Sequence, residues 1–166
     1  MDDGLLVPHS ADGMACFSGK ENTVILIRNH EIGHIPMIEN FLTSNPYGKG
    51  FGKYLKDKSN NFYDSKSNKT QCFGGTTSIV YNLLTEKVES QYLSLCGTLV
   101  NCSGGVTPWG TWISCEETTK IKGGGVYKSH GYPFEVIPSN RIKLTKAEPI
   151  KSMGRFRREA VAFDFN

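Results

Sequence analysis

The sequence predicts an all-β protein, a sandwich, barrel or propeller, on three observations. Glycine is abundant at 18 of 166 residues, aromatic residues make up 11%, and short apolar or alternating runs recur between turn-forming clusters. That mixture favours short strands and many turns over helices. A chain of this length fits one domain with a sizeable core. No fixed-period repeat emerges, so internal symmetry alone does not select a propeller.

Taken in order, MACF (14–17) and TVILIR (23–28) read as two strands of a hairpin joined by the SGKEN turn. The stretch 43–71 is rich in Lys, Asn and Ser and has no period; it reads as a long polar insertion, partly disordered. GGTTSIVYNLLT (74–85) is a strand. LTEKVESQYLSL (84–95) suits a helix or a strand, and a meander strand fits its neighbours better. TWISC (111–115), GVYK (125–128) and YPFEVI (132–137) are further short strands. REAVAFDF (158–165) alternates Ala160, Ala162 and Asp164 with Val161, Phe163 and Phe165, the pattern of a half-buried strand. The last strand runs straight into Asn166, which would leave sheet edges open, so a piece of a longer protein is expected.

Charge is unevenly spread. Residues 49–69 carry six Lys against two Asp, and residues 141–158 carry seven basic residues against one Glu, leaving an acidic remainder. An acidic body with basic patches suits cations in one place and anions in another. The longest aliphatic run, VILI at 24–27, is far too short to cross a bilayer. The N-terminal residues lack the positive and apolar regions of a signal peptide. Five cysteines occur with no C-x-x-C spacing, which removes zinc-knuckle and thioredoxin readings. No G-x-S-x-G supports a serine nucleophile, and no recognition-helix or RNP-like pattern accompanies the basic segments, so no nucleic-acid partner is expected.

Three stretches bring chemistry-bearing residues together. NCSGGVTPWGTWISCEE (101–117) offers Cys102 in a glycine-rich loop and Glu116 and Glu117 at a strand end. Thiolate suits iron, copper or zinc, while carboxylates suit calcium. Side chains alternate on a strand, so Glu116 and Glu117 point to opposite faces and only one enters a given site. Packing is the competing reading, with Trp109 and Trp112 filling core and Cys115 a small apolar residue. Asn29-His30-Glu31 sets an amide, an imidazole and a carboxylate at the end of a strand. Pairing of His30 with His34 on zinc is disfavoured, because Gly33 and Pro36 break the helix that would align them. Arg155, Arg157 and Arg158 with Glu159 resemble an oxyanion-binding cluster.

In this order, DGMACF, VILIRNHE, GGTTSIVYN, NCSGGVTPWGTWISCEET, HGYPFEV and MGRFRREAVAFD together resemble the PhoX-type alkaline phosphatases, the DUF839 family. The likeness covers nearly the whole chain outside 43–71. It implies a β-propeller, of which this chain is several blades, exported in folded form by the twin-arginine route, that hydrolyses small phosphate monoesters at a site of iron and calcium (Fe3+ and Ca2+). Carried over, Cys102 becomes an iron ligand, Glu31, Glu116 or Glu117, and Glu159 carboxylate ligands, and Arg155 the catalytic group that orients phosphate, with Asn29 beside the substrate. The family pattern usually has Ser/Asn-His-Glu after GRF, where this chain has Arg157-Arg158-Glu159. Family members are also longer, so little turnover is expected of the 166 residues alone. A non-catalytic propeller module or inactive fragment is the alternative from a different class. The oligomeric state is left open.

Overall fold

In the computed structural model the described residues are 1–36, 45–65, 70–123 and 125–164. They form three antiparallel sheets and one α-helix, in agreement with the all-β expectation. The strands are β1 (Ala11–Ser18), β2 (Thr23–His30), β3 (His34–Pro36), β4 (Thr70–Cys72), β5 (Gly74–Asn82), β6 (Lys87–Thr98), β7 (Asn101–Val106), β8 (Trp112–Glu116) and β9 (Pro133–Val136). Their sheets are β1-β2-β5-β6, β3-β4 and β7-β8-β9.

The first hairpin forms where its two apolar runs and the SGKEN turn put it. In β2, Ile25 and Ile27 face the interior and Val24 and Leu26 lie half-buried on the opposite face. The interior side meets Tyr92 and Leu95 of β6, Trp112 of β8 and Phe134 and Val136 of β9, so the main core lies between the four-stranded and three-stranded sheets. A side chain such as Ile27 contributes about 1.5–3 kcal/mol by leaving water there. Within the stretch 84–95, residues 87–95 are strand rather than helix and belong to β6, while 84–86 form the turn before it.

Over its described part, 45–65, the polar segment is not disordered. Helix α1 (Phe51–Lys58) and a 3-10 turn at Ser59–Asn61 carry Tyr47, Phe51 and Phe62 into a second core with Phe73 and Leu93. Tyr47 and Phe51, four residues apart, stack at 4.9 Å, and Phe51 meets Phe73 at 5.3 Å. The aromatic spacing outweighs the lysine load, because the lysines stand on the outer side of α1 where water solvates them. The ends of the stretch at 43–44 and 66–69 lie outside the described residues.

Three further expectations are corrected. GVYK (125–128) is loop: the Asp64 carboxylate takes the amides of Tyr127 and Lys128, each at 2.8 Å, that a strand partner would have taken. The run 158–164 keeps the alternation, with Val161 and Phe163 half-buried, but forms no ladder; Phe165 is outside the described residues. Its amides bond singly to the carbonyls of Glu116 (from Arg158, 3.1 Å) and Gly104 (from Val161, 3.4 Å). Trp109 is not core. It is 64% exposed, donates to Glu135 Oε1 at 2.7 Å and meets Phe163 edge-on. Trp112 does fill core. No helix among the described residues is long and apolar enough to cross a membrane.

Candidate metal centre

Two backbone irregularities face each other across the sheets. β1 carries one extra residue between Ala11 and Met14, opposite His30 and Arg28 of β2. β7 carries one between Asn101 and Gly104, opposite Glu116 and Ser114 of β8. Such bulges bend a strand and re-aim its side chains. A Cβ on Gly13, in the first bulge, would sit 2.6 Å from the Ser103 Cα in the second. Asp12, in the first bulge, meets Glu31 by a side-chain hydrogen bond.

Around these bulges gather most of the predicted ligands. Glu31 follows β2, Glu117 follows β8, and Glu159 lies on the segment that crosses β7. Glu31 has its pKa raised, first by the desolvation it suffers and then by the carboxylates of Asp12, Glu117 and Glu159, with a hydrogen bond to Asp12 adding to the effect. The Cys102 thiol is pushed up to about 11, mainly by burial, with Glu117 and Glu159 adding to the shift. It is 3% exposed and lies 3.5 Å from the carbonyl oxygens of both Arg158 and Glu159. Asp12, Glu117 and Glu159 thus bear on Glu31, and Glu117 and Glu159 on Cys102, along a single rim, where neighbouring negative charge disfavours ionising Glu31 and Cys102. Arg157 offsets part of that repulsion through Nη2, 3.0 Å from Glu117 Oε1. An open groove of about 740 Å³ adjoins the rim, lined by Glu117, Arg157 and the 118–121 loop.

The other candidates hold hydrogen bonds within the fold. Glu116 is fully buried and turned away from Cys102, as strand alternation requires. Its Oε1 accepts from the Leu99 amide at 2.8 Å and faces His130 Nδ1 at 2.6 Å; its Oε2 accepts from the amides of Gly131 (2.7 Å) and Tyr132 (3.1 Å). Its oxygens are committed to holding the chain. Asn29 is also fully buried: its amide donates to the Ser103 carbonyl at 2.7 Å and its oxygen accepts from Trp112 Nε1 at 2.9 Å. It fastens β2 to the β7 bulge. His30 is a neutral buried ring, its pKa lowered by burial to about 4, set between the His9 carbonyl and Thr77 Oγ1. Arg155 anchors Nε on the His130 carbonyl (2.8 Å) and Nη2 on the Thr119 carbonyl (2.7 Å).

Asp12, His130, Asp64 and Cys72 are missing from the expected set. Asp12 lies in the quoted DGMACF run, and only the bulge brings it to the rim. His130 sits in HGYPFEV, but its partners are 14, 58 and 66 residues away. Burial lowers the pKa of His130, yet Asp64, Cys72 and Glu116 more than reverse this and raise it to about 11. A histidine raised in the fold stabilises fully below its unfolded value near 6.5, and that contribution is lost as pH climbs through the folded value. The metal-free chain should therefore lose stability steadily from about pH 6.5 to about 11. Urea midpoints across that range should fall for wild type and fall less for His130→Asn; equal slopes would refute the charged ring.

The model of the family described as alkaline phosphatase PhoX matches residues 1–166. The chain belongs to that family. Comparisons with curated proteins and with solved structures returned no match. The PhoX match is consistent with a phosphatase-type protein and with the sequence resemblance, and it extends over the polar segment that the resemblance left out.

Proposed function

We propose that this chain is part of a metal-dependent phosphate monoester hydrolase built as a β-propeller, the four-stranded meander β1-β2-β5-β6 being one of its blades. The observation that carries the proposal is the rim. Asp12, Glu117 and Glu159 lie near enough to Glu31, and Glu117 and Glu159 near enough to Cys102, to shift their protonation, and Arg157 pairs with Glu117; such donors suit hard cations and one thiophilic ion together. Residues that fit Fe3+ and Ca2+ are Cys102, Glu31, Glu117 and Glu159, with Asp12 added; Glu116 is left out because its oxygens are taken. The chemistry such ions supply is polarisation of the phosphoryl group and stabilisation of the leaving oxygen.

The chain's own residues do the remaining work. The β7 bulge presents Cys102, and Asn29 and Trp112 hold that bulge still. Arg155, fixed at two of its nitrogens, keeps its guanidinium plane at a set angle and leaves Nη1 to orient an equatorial phosphate oxygen. Arg157 stands beside the groove and attracts the dianionic ester. Export by the twin-arginine route belongs to the same reading.

The test uses protein expressed from its whole open reading frame. Iron and calcium should co-purify, and hydrolysis of p-nitrophenyl phosphate should cease on chelation. Cys102→Ser should lose iron and lower turnover by about 100-fold or more. Metal-independent turnover, or full activity in Cys102→Ser, would sink the proposal.

A further inference from the structure

Away from the rim, the described residues hold one group of metal-ligating atoms that face one another. Asp64, Cys72 and His130 place a carboxylate oxygen, Sγ and a ring nitrogen all within 4.8 Å of one another. All three are buried, at 2%, 2% and 0% exposure. His130 Nε2 lies 3.4 Å from Asp64 Oδ2 and 3.8 Å from Cys72 Sγ. A four-coordinate ion with bonds of about 2.0–2.3 Å sets its donors about 3.3–3.8 Å apart, so these two separations already suit one.

One surrounding feature points the same way. Glu116 Oε1 sits 2.6 Å from His130 Nδ1, the carboxylate–histidine arrangement that fixes a ring and turns its other nitrogen to an ion. Gln71, 1% exposed, donates through Nε2 to the carbonyls of Asp64 (3.3 Å) and Cys72 (2.8 Å), while its buried Oε1 has no hydrogen-bond partner.

We propose that Asp64, Cys72 and His130 bind one thiophilic divalent cation of the zinc class, at a structural site separate from Cys102. Both ring nitrogens of His130 face carboxylates, so both carry protons in the metal-free chain. Binding displaces the Nε2 proton and the Cys72 thiol proton to solvent as one dication enters. Two positive charges replace two, and the net charge of the buried group is unchanged. The ion joins the polar segment (Asp64), β4 (Cys72) and the loop before β9 (His130), three pieces of chain otherwise linked by side-chain hydrogen bonds.

The test is a titration of the metal-free full chain with Co2+ as a spectroscopic probe, followed by Zn2+. One equivalent of Co2+ should give a near-ultraviolet thiolate-to-cobalt band that Zn2+ removes, and each Zn2+ bound should release about two protons in weak buffer at neutral pH. Cys72→Ser should abolish the band and Cys102→Ser should leave it. X-ray absorption of zinc-loaded Cys102→Ser protein gives a reading that does not depend on Cys72→Ser folding, with sulfur and imidazole expected in the shell. An all-oxygen shell, or the absence of any band, overturns the site. A band lost in Cys102→Ser and kept in Cys72→Ser also overturns it, and assigns the thiolate to the rim instead.

Discussion

Replacing Glu116 with alanine should cost about 4 kcal/mol or more of folding stability, read as the urea midpoint multiplied by the unfolding slope. Three main-chain amides, those of Leu99, Gly131 and Tyr132, lose their acceptor at once, and His130 loses the nearer of its two carboxylates. Each orphaned amide costs about 1–3 kcal/mol when water cannot reach it, and Glu116 is wholly buried. Glu116→Gln keeps the shape but turns one oxygen into a donor facing donors, so it should cost roughly 2 kcal/mol. A Glu116→Ala chain within about 1 kcal/mol of wild type would show that these bonds do not support the fold. A variant of unchanged stability that lost bound iron or calcium would return Glu116 to the metal ligands.

The second large effect is expected at Gly104. A Cβ there would run into the carbonyl oxygen of Ile113 on the paired strand and approach Trp112 at 2.9 Å. The first obstacle is backbone, so the clash is relieved only by pushing β7 away from β8. Such overpacking costs about 3 kcal/mol. Because Cys102 sits two residues earlier in the same bulge, the shift should also open its thiol. Gly104→Ala should therefore melt early and let a small alkylating reagent modify Cys102 faster than in wild type. Gly33→Ala is the control, since nothing lies within 4 Å of a Cβ there and it should change little. Equal melting of the two variants would remove the close approach as the reason for the glycine.

The sheets were readable because runs rich in apolar, β-branched and aromatic residues are bounded by turn residues, as at 23–30 and 74–82. That Glu116 and Glu117 part company was readable too; which one turns inward was not, since alternation fixes relative and not absolute direction. The polar segment misled through composition, its lysines outnumbering the aromatics that pack. GVYK and REAVAFDF have strand-like content, but pairing is a tertiary matter. A carboxylate took the amides of one, and isolated carbonyls took those of the other. Asp12 and the Asp64–Cys72–His130 group depend on bulges and long-range contacts, for which a single sequence carries no local signal.

The carbonyls that cover Cys102 belong to Arg158 and Glu159, which leave the ribosome long after the thiol they shield. Until that later stretch arrives, Cys102 stands uncovered and titrates like any free cysteine, with a greater share of reactive thiolate than it has in the finished fold. In the metal-free chain, oxidation of this residue is thus expected during synthesis more than after folding. Slowing elongation between β9 and Arg158 under peroxide should leave more sulfinic acid at Cys102, while the same dose given after folding should leave little.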